Sequence, residues 1–162
     1  MMKRIELFTH LMDDLFAFGQ VSEMNQNLPR TYGTDDVLYM AEVHMIRDIA
    51  AYEGITVTEL ARLNQKSKSA VSQLVDKLVQ KGLIEKKKHP EGNRRIALYI
   101  TEKGKTVNNY HSRLDRREYE KVLTKLNDYT DEDLQKIIDF IHIVSSGNEK
   151  AIRSKKRKSK KV

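Results

Sequence analysis

The segment Ser67-Lys68-Ser69-Ala70-Val71-Ser72-Gln73-Leu74-Val75-Asp76-Lys77-Leu78 constrains this chain more than any other. At helical spacing Ala70, Val71, Leu74, Val75 and Leu78 share one face, and Ser69, Ser72, Gln73 and Lys77 share the other. One side must be buried. The other presents hydroxyls, an amide and a cation, the groups that reach base edges and phosphates from a helix lying in a major groove. Taken alone, the segment reads equally well as an ordinary core helix with a solvated face, because such charge patterns are common.

The flanks decide between these readings. Upstream, Ile55 to Leu63 forms a short helix opened by a Thr56-x-x-Glu59 capping box, and a brief polar turn then leads into the Ser67–Lys81 helix, a helix-turn-helix pair. Downstream, Gly82 is placed to end the second helix. Two extended stretches, Leu83 to Lys88 and Ile96 to Ile100, then flank the turn His89-Pro90-Glu91-Gly92-Asn93-Arg94-Arg95. Alternation points Ile96, Leu98 and Ile100 the same way, so the pair forms a hairpin tipped by arginines.

Elsewhere the periodicity predicts a helix from Lys3 to about Asn27, with Phe8, Leu11, Met12, Leu15, Phe16 and Gly19 on one stripe. Leu28 to Thr34 is a loop holding two breakers, and Asp36 to Tyr52 a helix with Tyr39, Val43, Ile46, Ile49 and Ala50 facing inward. Thr101 caps a long helix to about Asn127. A last helix, Asp131 to about Ser145, carries Leu134, Ile137, Ile138, Ile141 and Val144 on one face. The first and last helices are expected to pack together and against a second copy. The predicted organisation is a dimerisation helix and loop at 1–34, a nucleic-acid-binding module at 35–104, further dimerisation helices at 105–146, and a basic, disordered tail at 147–162.

The net charge of +7 is misleading until it is divided by segment. Residues 150–162 hold eight Lys or Arg and no acid, which leaves 22 basic against 23 acidic groups in the body. Within that near-neutral body, residues 62–95 carry ten basic groups and three acids, and the remainder 12 against 20. Positive charge is concentrated on the helix-turn-helix and hairpin, the footprint of a polyanion-binding face. The tail reads either as a solubilising end or as an arm that adds phosphate contacts without reading bases.

With these residues in place, the chain resembles the MarR family of transcriptional regulators. The resemblance is carried by Glu59-Leu60-Ala61, Ser69 to Leu78, Lys81-Gly82-Leu83-Ile84, Arg94-Arg95, and Leu98 to Gly104 ending Thr101-Glu102-Lys103-Gly104. It covers about fifty residues, a span fitting one winged module. One departure stands out: the family usually has an aspartate two positions before the wing-tip arginine, and here that position is Gly92.

The resemblance implies a mostly α fold with a small β-hairpin wing, a winged helix-turn-helix with N- and C-terminal dimerisation helices. It further implies a homodimer that binds a pseudo-palindromic operator in double-stranded DNA and acts as a repressor relieved by a small-molecule effector. A cytoplasmic location is expected because no run approaches the roughly 18–20 apolar residues of a membrane span and Met1-Met2-Lys3-Arg4-Ile5 lacks the apolar core of a signal peptide. Base contacts are assigned to Ser69, Ser72 and Gln73, and phosphate contacts to Ser67, Lys68 and Lys77. Arg94 and Arg95 are assigned to a minor groove, Lys86, Lys87 and Lys88 to the backbone beside it, with His89 and Asn93 as helpers. Phe16, Tyr39, Met40, His44, Tyr110 and His111 are candidate effector-lining residues, with core packing as their plain alternative.

Other classes have less support. His44 and His111 lie on helices where some MarR-like proteins bind zinc, with Glu42 and Asp115 near them in sequence. No His-x-x-x-His pair and no cysteine completes a ligand set, so no metal or other cofactor is assigned. No Gly-rich phosphate loop, Gly-x-Ser-x-Gly or His-Glu-x-x-His supports catalysis. The alternatives to an effector-relieved repressor are a zinc- or other metal-responsive regulator of the same fold and a non-regulatory architectural DNA-binding or interaction module on the same scaffold.

Overall fold

The computed structural model describes residues 3–88 and 95–159, with side chains through residue 147. The chain divides into two units, Met1–Asp115 and Arg116–Val162.

In the first unit α1 (Arg4–Gln26) leads to a two-residue ladder of β1 (Arg30–Thr31) and β2 (Val37–Leu38), then to α2 (Met40–Ala51), α3 (Val57–Leu63) and α4 (Lys68–Gln80). The antiparallel hairpin β3 (Ile84–Lys88) and β4 (Ile96–Ile100) follows, and α5 (Glu102–Leu123) begins one residue later. The unit boundary falls inside α5. The second unit contains α6 (Asp131–Ser159).

The β3–β4 register pairs Ile84 with Ile100 and Lys88 with Ile96. A third extended segment joins the hairpin: Gly54 N–H donates to Leu98 O at 3.0 Å, Leu98 N–H donates to Ile55 O at 3.0 Å, and Thr56 bridges to Ala97. One hydrophobic cluster fills the space between α2, α3, α4 and the sheet, with Val43, Ile46, Ile49, Leu60, Val71, Val75, Leu78, Leu83 and Leu98 fully buried.

Each module helix starts and stops for local reasons. Thr56 Oγ1 accepts from Glu59 N–H, and the Glu59 carboxylate accepts from Thr56 N–H at 2.9 Å, closing the expected capping box. At the other end of α3, Lys66 N–H reaches Ala61 O and Gln65 N–H reaches Arg62 O, with Gln65 at φ +52. The same pair of bonds ends α4, from Leu83 to Leu78 and from Gly82 to Val79, with Gly82 at φ +69. Glycine takes that conformation freely, whereas glutamine is strained in it. Thr101 then ties the module to α5, donating to Gly82 O at 2.7 Å and accepting from Gly104 N–H at 3.1 Å.

Several sequence expectations need correction. The second helix starts at Met40, not Asp36, because Val37–Leu38 pairs with Arg30–Thr31 and the Glu42 carboxylate accepts from Tyr39 N–H at 2.9 Å. Tyr39 is therefore a cap position, 49 % exposed, instead of a core residue. Ala70 is exposed because the first turn of α4 projects beyond the core. In β4 Leu98 and Ile100 are buried as expected, but Ile96 lies past the core and is exposed, while Ala97 is buried against the Thr56 segment.

The long helix stops at Leu123, not Asn127, where the bonds tighten to three-residue spacing, Lys125 to Val122 and Leu126 to Leu123. The last helix runs through Gly147 to Ser159, past the expected end near Ser145 and into the stretch expected to be disordered. No proline interrupts it, and Lys, Arg, Glu and Ala are good helix formers.

The remaining apolar stripes are uncovered. No α1 residue is buried: Met12 and Leu15 are half-buried, and Phe16 is 71 % exposed. On α6, Ile137, Ile138, Ile141 and Ile143 are also exposed. No helix among the described residues is long and apolar enough to cross a membrane.

Two substitutions test the close contacts, both read by urea denaturation. A Cβ at Gly104 would lie 2.0 Å from Leu83 O and 2.8 Å from Ile100 Cγ1. Gly104→Ala is therefore expected to cost about 3 kcal/mol by overpacking. Gln65→Gly, which relieves the left-handed strain, is expected to gain about 1 kcal/mol.

Candidate nucleic-acid interface

Burial of Val71, Val75 and Leu78 turns the opposite face of α4 outward. On it Lys68, Ser69, Gln73 and Lys77 are exposed and Ser72 is half-buried. Ser67 is first a cap: its Oγ accepts from Ala70 N–H at 3.2 Å and lies 3.2 Å from Ser69 Oγ. Beside this face is a hollow of about 440 Å³ lined by Thr56, Val57, Thr58, Lys68, Ser72, Lys86, Arg95 and Ile96. It gathers the start of α3, the first turns of α4 and both strands of the hairpin. Three cations and three hydroxyls around one hollow suit an anionic oxygen ligand such as a phosphate.

Four residues singled out from the sequence, Lys68, Ser72, Lys86 and Arg95, thus converge. Thr56 and Thr58 were not foreseen as part of this surface. Thr56 had been explained fully by its capping role, and a solvent-exposed Thr58 beside it gives no signal of its own. Lys88 is exposed on β3. His89, Asn93 and Arg94 lie outside the described residues.

Two of the cations already have partners. Lys86 Nζ is 2.5 Å from Asp76 Oδ1, linking the hairpin to α4, and Lys87 Nζ is 2.5 Å from Glu85 Oε1 and 5.2 Å from the centre of the Tyr99 ring. All four charged groups are at least a third exposed, and solvent-accessible pairs of this kind contribute roughly 0.2–1 kcal/mol. A phosphate can displace the acid at little cost.

A second cluster lies at the junction of β1, α2 and α5. The His44 and His111 rings stack with centroids 5.4 Å apart and planes at 27°, and Tyr32 meets His111 edge-on at 5.8 Å and Tyr110 at 6.3 Å. His111 is buried and neither ring nitrogen has a hydrogen bond; Asp115 Oδ1 is 3.3 Å from Nδ1 but out of line. Burial lowers both imidazole pKa values below the ordinary range. Arg47 adds to the depression, and Asp115 opposes it. Burial also raises the Tyr32 phenol.

Of the six candidate effector residues, the structure brings together His44, Tyr110 and His111. Met40 is half-buried, Tyr39 caps α2, and Phe16 stands exposed on α1. Tyr32 completes the cluster and was missed because it sits in a loop, where periodicity gives no warning. Glu42 takes no part: it is buried and accepts from Lys81 Nζ at 2.7 Å. Among the described residues no group of three or more His, Cys, Asp or Glu is placed to hold a metal.

Residues 38–96 match the model of the MarR family. A regulator of Bacillus subtilis strain 168, the uncharacterized HTH-type transcriptional regulator YhjH, is 23 % identical over 114 residues. That match spans 70 % of this chain and 65 % of the relative, somewhat under two thirds of its length. Among solved structures, Streptococcus pneumoniae FabT in complex with DNA superposes with a TM-score of 0.67 at 19 % identity, covering 90 % of this chain and 98 % of that one. The zinc-responsive MarR family member ZitR of Lactococcus lactis gives 0.66 at 21 % identity, covering 87 % and 98 %. At these identities the structural likeness is one of fold.

The paired lysine at the hollow gives a test. Asp76→Asn frees Lys86, and on a polyanion-binding face this is expected to tighten binding to random-sequence duplex about two- to fivefold at low salt, measured by fluorescence anisotropy. Unchanged or weaker binding would remove Lys86 from the contact set.

Proposed function

We propose, from the match of residues 38–96 to the MarR-family model, that the chain is a sequence-specific, double-stranded-DNA-binding transcriptional regulator. It acts by binding, in the cytoplasm, as a homodimer that represses until a small effector shifts the spacing of its two DNA-binding lobes. The observation that carries this reading is the outward face of α4, with Ser69, Ser72 and Gln73 presented beside a hollow lined by Lys68, Lys86 and Arg95.

The roles divide by chemistry. Gln73 and the two serines are short polar groups suited to base edges, with glutamine matching adenine N6 and N7. Lys68, Lys77, Lys88 and Arg95 supply charge to phosphates, and Lys86 and Lys87 join them by leaving their acids. The exposed apolar stripes of α1 and α6 support the homodimer, since apolar faces of this length are rarely left in water. A two-fold pair then sets two α4 helices about one DNA turn apart, on a pseudo-palindromic site. The His44, Tyr110 and His111 cluster, with Tyr32, is the best-supported place for the effector's influence to enter.

Selection from a pool of random duplexes tests the reading directly. A regulator should prefer its selected site by about 10³-fold or more over random DNA, whereas an architectural binder would hold both alike at the same salt. Gln73→Ala should lower discrimination at one base pair by about 1–3 kcal/mol. Lys68→Ala should weaken all sequences evenly and flatten the salt dependence by about one phosphate contact. Equal losses on both DNAs for Gln73→Ala would overturn the base-reading role.

A further inference from the structure

The stacked imidazoles are unexplained by DNA contact. His111 is a buried polar ring with two unpartnered nitrogens, a state that costs free energy and therefore calls for an explanation. We propose that His44 and His111 form a proton-operated switch that weakens the grip on DNA in acid, an inference that rests on the DNA-binding reading above.

The geometry favours the neutral pair. Two neutral rings stacked at 5.4 Å attract, whereas two imidazolium rings at that distance repel in a poorly solvated site. The charges facing the pair come from three elements. Arg47 and Asp48 lie on α2 with His44, Asp115 lies on α5 with His111, and Arg30 on β1 stands next to Tyr32. Asp115, 3.3 Å from His111 Nδ1, accommodates a first proton by a small turn into line. A second proton meets the first and Arg47; the other acid acting on His44, Asp48, is engaged by Arg47 at 3.0 Å and by Asn64 at 3.0 Å. Breaking the stack separates α2 from α5.

That separation bears on α4 through hydrogen-bonded contacts. Glu42, two residues before His44, holds Lys81 at the C-terminal end of α4, and Lys81 Nζ also donates to Val37 O at 3.0 Å. Lys103 at the start of α5 donates to Lys81 O at 2.9 Å and pairs with Asp36 at 2.8 Å. The end of the helix that presents Ser72, Gln73 and Lys77 is thereby tied to both elements that carry the histidines.

The sign follows from burial. Both rings bind protons less readily folded than unfolded, so the fold loses stability as pH falls below about 6.5 and through the lower folded values. DNA binding should follow the same sign. Generic protonation would act oppositely, since added positive charge tightens binding to a polyanion.

The experiment measures affinity of the full chain for its selected operator at about pH 7.5 and about pH 5.5, at constant ionic strength and with a chelator present. Affinity at the higher pH tests the DNA-binding reading alone, through preference for operator over random duplex. On acidification the wild type should weaken about tenfold, the equivalent of a one-unit difference in linked pKa. His44→Phe and His111→Phe, which keep a ring but remove the proton site, should lose that weakening. Imidazole titration of the wild type by NMR needs no variant: operator binding should lower the pKa of both rings. Tightening in acid, weakening retained in a folded Phe variant, or pKa values unmoved by operator would each overturn the switch.

Discussion

The azimuth of α4 is what the rest of the molecule depends on, and it is set by Val71, Val75 and Leu78. Each is fully buried, and burying a side chain of this size is worth roughly 1.5–3 kcal/mol. Rotating the helix by a quarter turn would expose much of that surface and bury Gln73 or Lys77 without partners, at a further cost of about 1–3 kcal/mol for each polar group. No single contact of the outward face competes with this sum. The polar residues are held outward by what lies behind them and remain free to bind.

The same division of labour appears in the charges. Forces that position the module are buried or backbone-based: the Glu42–Lys81 pair, the Thr101 link, and the two helix ends closed at Gln65 and Gly82. Charges that face outward, Lys86 on Asp76 and Lys87 on Glu85, are paired only weakly. Under the proposed reading, their attraction would screen the cationic face against indiscriminate association and yield when a denser row of phosphates arrives. A strong pair there would hold the strand lysines away from DNA, and an unpaired set would favour any polyanion. Under that reading, weak pairing is the intermediate that would suit a protein that must search DNA and then stop.

What could be read in the chain follows from which forces are local. The Thr56 and Glu59 box, the amphipathic α4 and its glycine stop are written in residues three or four apart, and they appear as expected. The β1–β2 ladder is only two residues on each side, too short to give a period, so Tyr39 looked helical until the Glu42 cap fixed the start of α2. Alternation placed Leu98 and Ile100 correctly but could not reveal that Ala97 faces a third segment near Thr56, because that contact joins positions 41 residues apart. The hollow was half legible: its lysines and arginine announced themselves by charge, while Thr58 did not. The two histidines were singled out on their helices, but their stacking, their burial, and the Tyr32 ring edge-on to His111 are products of tertiary packing. The polar end of α6 shows the opposite error, since composition argued for disorder where local helix preference is strong.

The first helix poses the remaining physical question. Twenty-three residues of helix with no buried side chain have little to hold them, because helices gain most of their stability in proteins from packing an apolar face. Ile5, Phe8, Phe16 and Phe18 add up to a surface far more apolar than solvation tolerates. Under the proposed reading, covering this face and pairing the DNA-binding modules become one event. A second copy would bury the stripe about a two-fold axis, and the same axis would repeat α4 at the spacing of successive grooves. The apolar face would then serve recognition as directly as Gln73 does, because a lone module has only half a site to read, and each half contributes its affinity only when the other is held in register.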